Sequence, residues 1–167
     1  MCNNSSKKRG KYMKCAIDDT VEYVKLLAQR LGGCKPKAMV LVMLLDLGIP
    51  VNYSGFEYLK TAILLQFEDP TADLANDIYP VISAKTGKDI SNEMIDTSIR
   101  NAIRSAWLRT NIAVWQKYIP IISDMQKKPP TNTEMIASLA KIVELWYTCA
   151  EAYNNQLYRE EVHNGIV

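Results

Sequence analysis

Apolar residues return along this chain at helical steps. Ile17, Val21, Val24, Ala28 and Leu31 recur at alternating intervals of four and three, an amphipathic stripe opened by Asp18 and Asp19 and stopped by Gly32 and Gly33. After a short Lys35-Pro36-Lys37 linker, residues 39–47 are almost uninterruptedly apolar and predict a buried helix, with Gly48 and then Pro50 as stop signals. Residues 54–67 predict a second helix with Phe56, Leu59, Ile63 and Phe67 on one face. Residues 72–85 predict a third, which Pro80 must kink or restart because proline lacks the amide for an interior hydrogen bond. A turn at Gly87 follows, and Ser91 is suited to cap the next helix, whose inward stripe is Ile95, Ile99, Ala102, Ile103 and Ala106. Residues 112–118 predict a short helix. Beyond a loop around residues 127–130, Thr131-Asn132-Thr133-Glu134 forms a capping box for a long final helix carried by Ile136, Leu139, Val143 and Trp146. Period-two alternation is scarce, so the expected class is all-α.

With 167 residues, 48% of them hydrophobic, the chain has enough apolar material for one domain with an appendage. The expected organisation is a basic arm, amphipathic helix and linker over residues 1–36, a helical domain over 37–155 and a tail over 156–167. Cys2, Cys15, Cys34 and Cys149 show no metal-ligand spacing, and His163 is the single histidine, so no metal site or cofactor is expected. No apolar run approaches the ~20 residues that span a bilayer, and no secretory leader is recognisable; reduced thiols and a cytoplasmic location are expected. No phosphate-binding glycine loop or nucleophile motif is present, and an enzyme is not expected.

A net charge of +2 identifies no partner by itself, so its distribution matters more. Lys7, Lys8, Arg9, Lys11 and Lys14 gather in the first residues, a solvated tail or an arm that approaches a polyanion. A helix restarted at Pro80, a turn at Gly87 and a helix from Ser91 give the outline of a helix-turn-helix, in which the second helix lies in the major groove of DNA. Residues 91–109 are then the recognition helix. Its outer face carries Arg100, Asn101 and Arg104: arginine can pair bidentately with guanine, asparagine with adenine, and a further cation can neutralise a phosphate. The expected DNA-contacting set is Lys85, Lys88, Ser91, Glu93, Met94, Thr97, Arg100, Asn101, Arg104, Lys127 and Lys128.

Four stretches in order, LLDLGIPVNYSGFEYLKTAI, IYPVISAKTG, SIRNAIRSAW with the following RTN, and PPTNTEMIASLAKIVEL, make the region from about Leu44 to Leu145 resemble a known family. It is the C-terminal effector domain of the stage zero sporulation protein A family of response regulators. The resemblance implies a six-helix fold whose third and fourth helices form the helix-turn-helix, here preceded by an extra amphipathic helix. It places Arg100 where the family has a DNA-contacting arginine. Asn101 stands in place of the family's usual histidine, Met94 and Thr97 in place of arginines, and Asp96 in place of a glutamate. The packing face of Ile95, Ile99 and Ile103 is kept, whereas two charges of the reading face are not. Residues 1–36 are too short for the family's phosphoacceptor receiver domain, so none is expected, and Asp18-Asp19 is read as helix capping.

The resulting expectation is a transcription regulator that binds double-stranded DNA sequence-specifically. A homodimer through the seam from Ile17 to Leu31 is a further expectation. The alternative is a protein-interaction module that titrates or heterodimerises with a full-length regulator without reading bases, motivated by the uncharged Met94 and Thr97.

Overall fold

The computed structural model describes residues 35–87, 89–119 and 128–163, with side chains as far as Cys149. Six α-helices occur in this range: α1 (Pro36–Asp46), α2 (Ser54–Glu68), α3 (Tyr79–Thr86), α4 (Asn92–Trp107), α5 (Ile112–Tyr118) and α6 (Asn132–His163). No strand is present among the described residues. The basic arm and the stripe from Ile17 to Leu31 lie outside them.

Helix α1 begins at Pro36, inside the expected linker, because proline's fixed φ suits a first turn whose amides have no intrahelical acceptor. It ends in a left-handed glycine: Gly48 takes a φ of 73° and donates to the Leu45 carbonyl, while the Ile49 amide donates to that of Leu44, each at 3.0 Å. The expectation that this helix is buried holds for one face only. Met39, Val40, Met43 and Leu44 are inaccessible, but Leu41, Val42 and Leu45 are 40%, 38% and 51% exposed.

The expected third helix divides. A single π turn, Leu74–Ile78, precedes α3, capped by Asp73, whose carboxylate accepts from the Ala75 and Asn76 amides at 3.0 and 2.9 Å. In this register the Tyr79 amide donates to the Leu74 carbonyl, so the next carbonyl, that of Ala75, faces the position of Pro80, which has no N–H. The side-chain amide of Asn92, the first residue of α4, donates to it instead at 2.8 Å. A proline restart thereby becomes a tie between two helices.

The core lies where α2 packs against α4 and α6. Phe56, Leu59, Ala62 and Ile63 of α2 meet Ile95, Ile99, Ala102, Ile103 and Ala106 of α4, and Met135, Ile136, Leu139, Val143 and Trp146 of α6 close the cluster. Burying each isoleucine contributes about 1.5–3 kcal/mol. Gly55 sits at the crossing of α2 and α4, where a Cβ would lie only 2.1 Å from the Ser98 carbonyl oxygen, so only glycine admits this approach. The capping box forms as expected: the Thr131 amide donates to Glu134 Oε2 at 2.8 Å, and the Glu134 amide donates to Thr131 Oγ1 at 3.2 Å. Helix α6 then runs on past residue 155, where a tail was expected, to His163.

Candidate nucleic-acid interface

Between α3 and α4, the described residues Gly87 and 89–91 are held by local polar groups. Gly87 closes α3 in the left-handed region, with φ 66°. The Ser83 hydroxyl of α3 donates to the Ile90 carbonyl at 2.9 Å, and Thr86 Oγ1 donates to the Ser83 carbonyl at 2.7 Å. Ser91 Oγ accepts from the Met94 amide at 3.3 Å as the expected cap of α4. The Asn92 tie to Ala75 holds the start of α4 to the π turn that leads into α3.

The two faces of α4 separate as the spacing predicts. All five residues of the inward stripe are buried, and Glu93, Met94, Thr97, Arg100, Asn101 and Arg104 are exposed on the other side. The Glu93 carboxyl is held below the usual glutamate value by its own amide and by the Ser91 hydroxyl, so the first turn carries a full negative charge that favours the helix N-terminus. Met94 is 60% exposed, and Val81 of α3 adds a second exposed apolar side chain, 37% accessible. Lys85 is exposed in the last turn of α3, and Lys128 is exposed shortly before α6. Lys88 and Lys127 lie outside the described residues.

Three residues that sequence reasoning did not join meet behind this face. Asp96 forms an ion pair with Arg100 one turn along α4. Its other carboxylate oxygen, Oδ1, accepts from the Tyr79 hydroxyl of α3 at 3.1 Å and from Asn132 Nδ2 of α6 at 2.7 Å. Asn132 Nδ2 also lies 2.9 Å from the Asp96 carbonyl, and Asn132 is the buried polar residue among the described residues, 7% exposed. Burial pushes the Tyr79 hydroxyl up to about 12, the neighbouring Asp96 charge acting in the same direction, so this donor keeps its proton at physiological pH. Sequence alone makes Tyr79 a core aromatic and Asn132 an interior position of the capping box.

Two helices joined by a short connection, the second with a polar and cationic face over a buried isoleucine stripe, have the form of a helix-turn-helix, the class of motif whose second helix lies in the major groove of DNA. The chain belongs to the sporulation initiation factor Spo0A C-terminal family, whose sequence model matches residues 40–143, more than half of the chain. That family consists of DNA-binding transcription-factor domains, not of enzymes. Among the described residues no helix is long and apolar enough to cross a membrane, and no group of three or more His, Cys, Asp and Glu could hold a metal ion.

Proposed function

We propose that the protein is a transcription regulator of the cytoplasm that reads a specific sequence in double-stranded DNA with α4 lying in the major groove. The observation that carries the reading is the exposed row Arg100, Asn101 and Arg104 opposite the buried stripe of Ile95, Ile99 and Ile103. Arg100 and Asn101 are the base readers, suited to guanine and adenine, and Arg104 at the end of the helix binds a phosphate. Met94 and Thr97 offer methyl groups where the resemblance has arginines, which suits contact with thymine methyls and moves the preferred site away from that of arginine-bearing relatives. In this reading Lys85, Lys88, Lys127 and Lys128 supply positive charge around the groove, and Ser91 and Glu93 contact the DNA from the N-terminal end of α4.

Selection of bound fragments from a random duplex library tests the proposal. A single enriched motif is the expected result, and recovery of unselected sequence contradicts it. Self-association through the stripe from Ile17 to Leu31 is part of the same proposal, favoured by the exposed apolar flank of Leu41, Val42 and Leu45 just downstream. Sedimentation of the full chain against one beginning at Lys35 decides it: a fall from dimer to monomer mass supports the seam, and an unchanged association state removes it. The exposed Met94 and Val81 favour a second reading, docking of a partner protein on the same face.

A further inference from the structure

We propose that Asp96, Tyr79 and Asn132 form a positioning device for Arg100, setting which base pair the arginine reads without touching DNA themselves. The inference rests on Arg100 being a base reader. An arginine on a helix surface has many rotamers, and a bidentate contact requires the planar guanidinium to arrive in one of them. Arg100 is 59% exposed at its side chain, and the neighbour that orders it is the Asp96 carboxylate, one turn back and itself only 29% exposed. That carboxylate is ordered in turn by two neutral donors from other helices, the Tyr79 hydroxyl at 3.1 Å and Asn132 Nδ2 at 2.7 Å. Both converge on Oδ1, leaving Oδ2 for Arg100. The arrangement is thus a relay from α3 and α6 through a carboxylate to the reading side chain. Its logic matches that of outer groups that orient a ligand by hydrogen-bonding to it.

The carboxylate also selects among sequences. An acidic group beside the guanidinium repels phosphate wherever the arginine is not engaged with a base edge, so Asp96 weakens binding to unrelated duplexes while it orients Arg100 for the correct one. Neither Tyr79 nor Asn132 is exposed, so changes there alter the aim of Arg100 and remove no DNA-facing side chain.

The test is a double-mutant cycle in the full chain, using the selected duplex, the same duplex with the base pair read by Arg100 replaced, and an unrelated duplex. Tyr79→Phe and Asn132→Ser are each made with Arg100 present and with Arg100→Ala, and folding is checked by thermal melting. The expected result is a loss of discrimination at that one base pair of about three- to tenfold for each variant, a part of the roughly five- to 150-fold (about 1–3 kcal/mol) that one bidentate contact contributes. Affinity for the unrelated duplex stays constant, and neither variant has any further effect once Arg100 is alanine. Equal losses in both backgrounds, or no loss of discrimination with Arg100 present, overturn the proposal. If Arg100→Ala alone leaves discrimination unchanged, the base-reading assignment of Arg100 fails first, an outcome distinct from failure of the positioning device.

Discussion

Replacing Gly55 by alanine tests whether α2 and α4 cross as closely as described. The added Cβ would stand 2.1 Å from the Ser98 carbonyl oxygen, 2.6 Å from its carbon and 3.0 Å from Ala102 Cβ. Carbon and carbonyl oxygen ordinarily approach to about 3.3 Å, so the two helices must separate by about 1 Å at this point. The obstacle is the backbone of α4, which no rotamer change relieves, and overpacking of this kind costs about 1–3 kcal/mol, here toward the upper end. Alanine's better helix propensity offsets less than about 1 kcal/mol of that. A net loss of about 2 kcal/mol lowers the melting temperature by several degrees in a domain of this size, measurable by circular dichroism or calorimetry. Gly87→Ala is the contrasting control: its φ of 66° imposes strain, but nothing lies within 4 Å of the new Cβ, so about 1 kcal/mol is expected with the core undisturbed. A Gly55→Ala protein that melts at or above the parent temperature would refute the close crossing and the rigid seat it provides for α4.

The capping box predicts that Thr131→Ala costs about 1 kcal/mol by freeing the Glu134 amide, read from denaturant midpoints at constant slope. The Glu134 carboxyl is held below its ordinary value by the Thr131 amide and hydroxyl, so its contribution is present above that ordinary value and is lost as pH falls through the lowered one. A Glu134→Gln variant should therefore show a weaker acid dependence of stability than the parent. Tyr79 acts at the other end of the scale. Raised to about 12 from 10, it contributes stability in full below pH 10 that disappears as pH rises through 12, and Tyr79→Phe should lack this alkaline loss in urea titrations. For the basic arm, neutralising Lys7, Lys8, Arg9, Lys11 and Lys14 should weaken all duplexes alike and flatten the salt dependence by about 0.9 for every phosphate the arm had neutralised, and an unchanged slope identifies the arm as a solvated tail.

The helices were legible wherever local chemistry decides them. Gly48, Gly87, Ser91 and the Thr131 to Glu134 box act within one turn of chain, and each performs the capping role its residue type suggests. The buried stripe of α4 was legible because a 3.6-residue period needs no knowledge of what lies opposite. The π turn before α3 was not, since it depends on Asn92 completing the carbonyl that Pro80 leaves without a donor, a hydrogen bond that spans 17 residues. The open flank of α1 escaped for a related reason: composition shows that Leu41, Val42 and Leu45 are apolar, but not whether another element covers them. Gly55 carries no local signal at all; its role arises where α2 meets the Ser98 carbonyl. The exposure of the α4 face opposite the isoleucine stripe was legible from the helical period, whereas the Tyr79, Asp96 and Asn132 cluster behind it joins positions 17 and 36 apart and exists only in the folded chain.

Whether α4 reads bases is decided by the affinity and sequence preference of Arg100→Ala and Asn101→Ala for the selected duplex. Both side chains are exposed and lie opposite the buried isoleucines, so neither change should lower the melting temperature appreciably. Each should instead cost about 1–3 kcal/mol of discrimination and relax preference at its own base pair, leaving the other positions intact. Arg104→Ala should weaken all duplexes alike, as removal of a phosphate ligand does. If the Arg100 and Asn101 changes together leave both affinity and preference for the selected duplex untouched, α4 is not the reader, and the exposed face around Met94 is a docking surface for a protein.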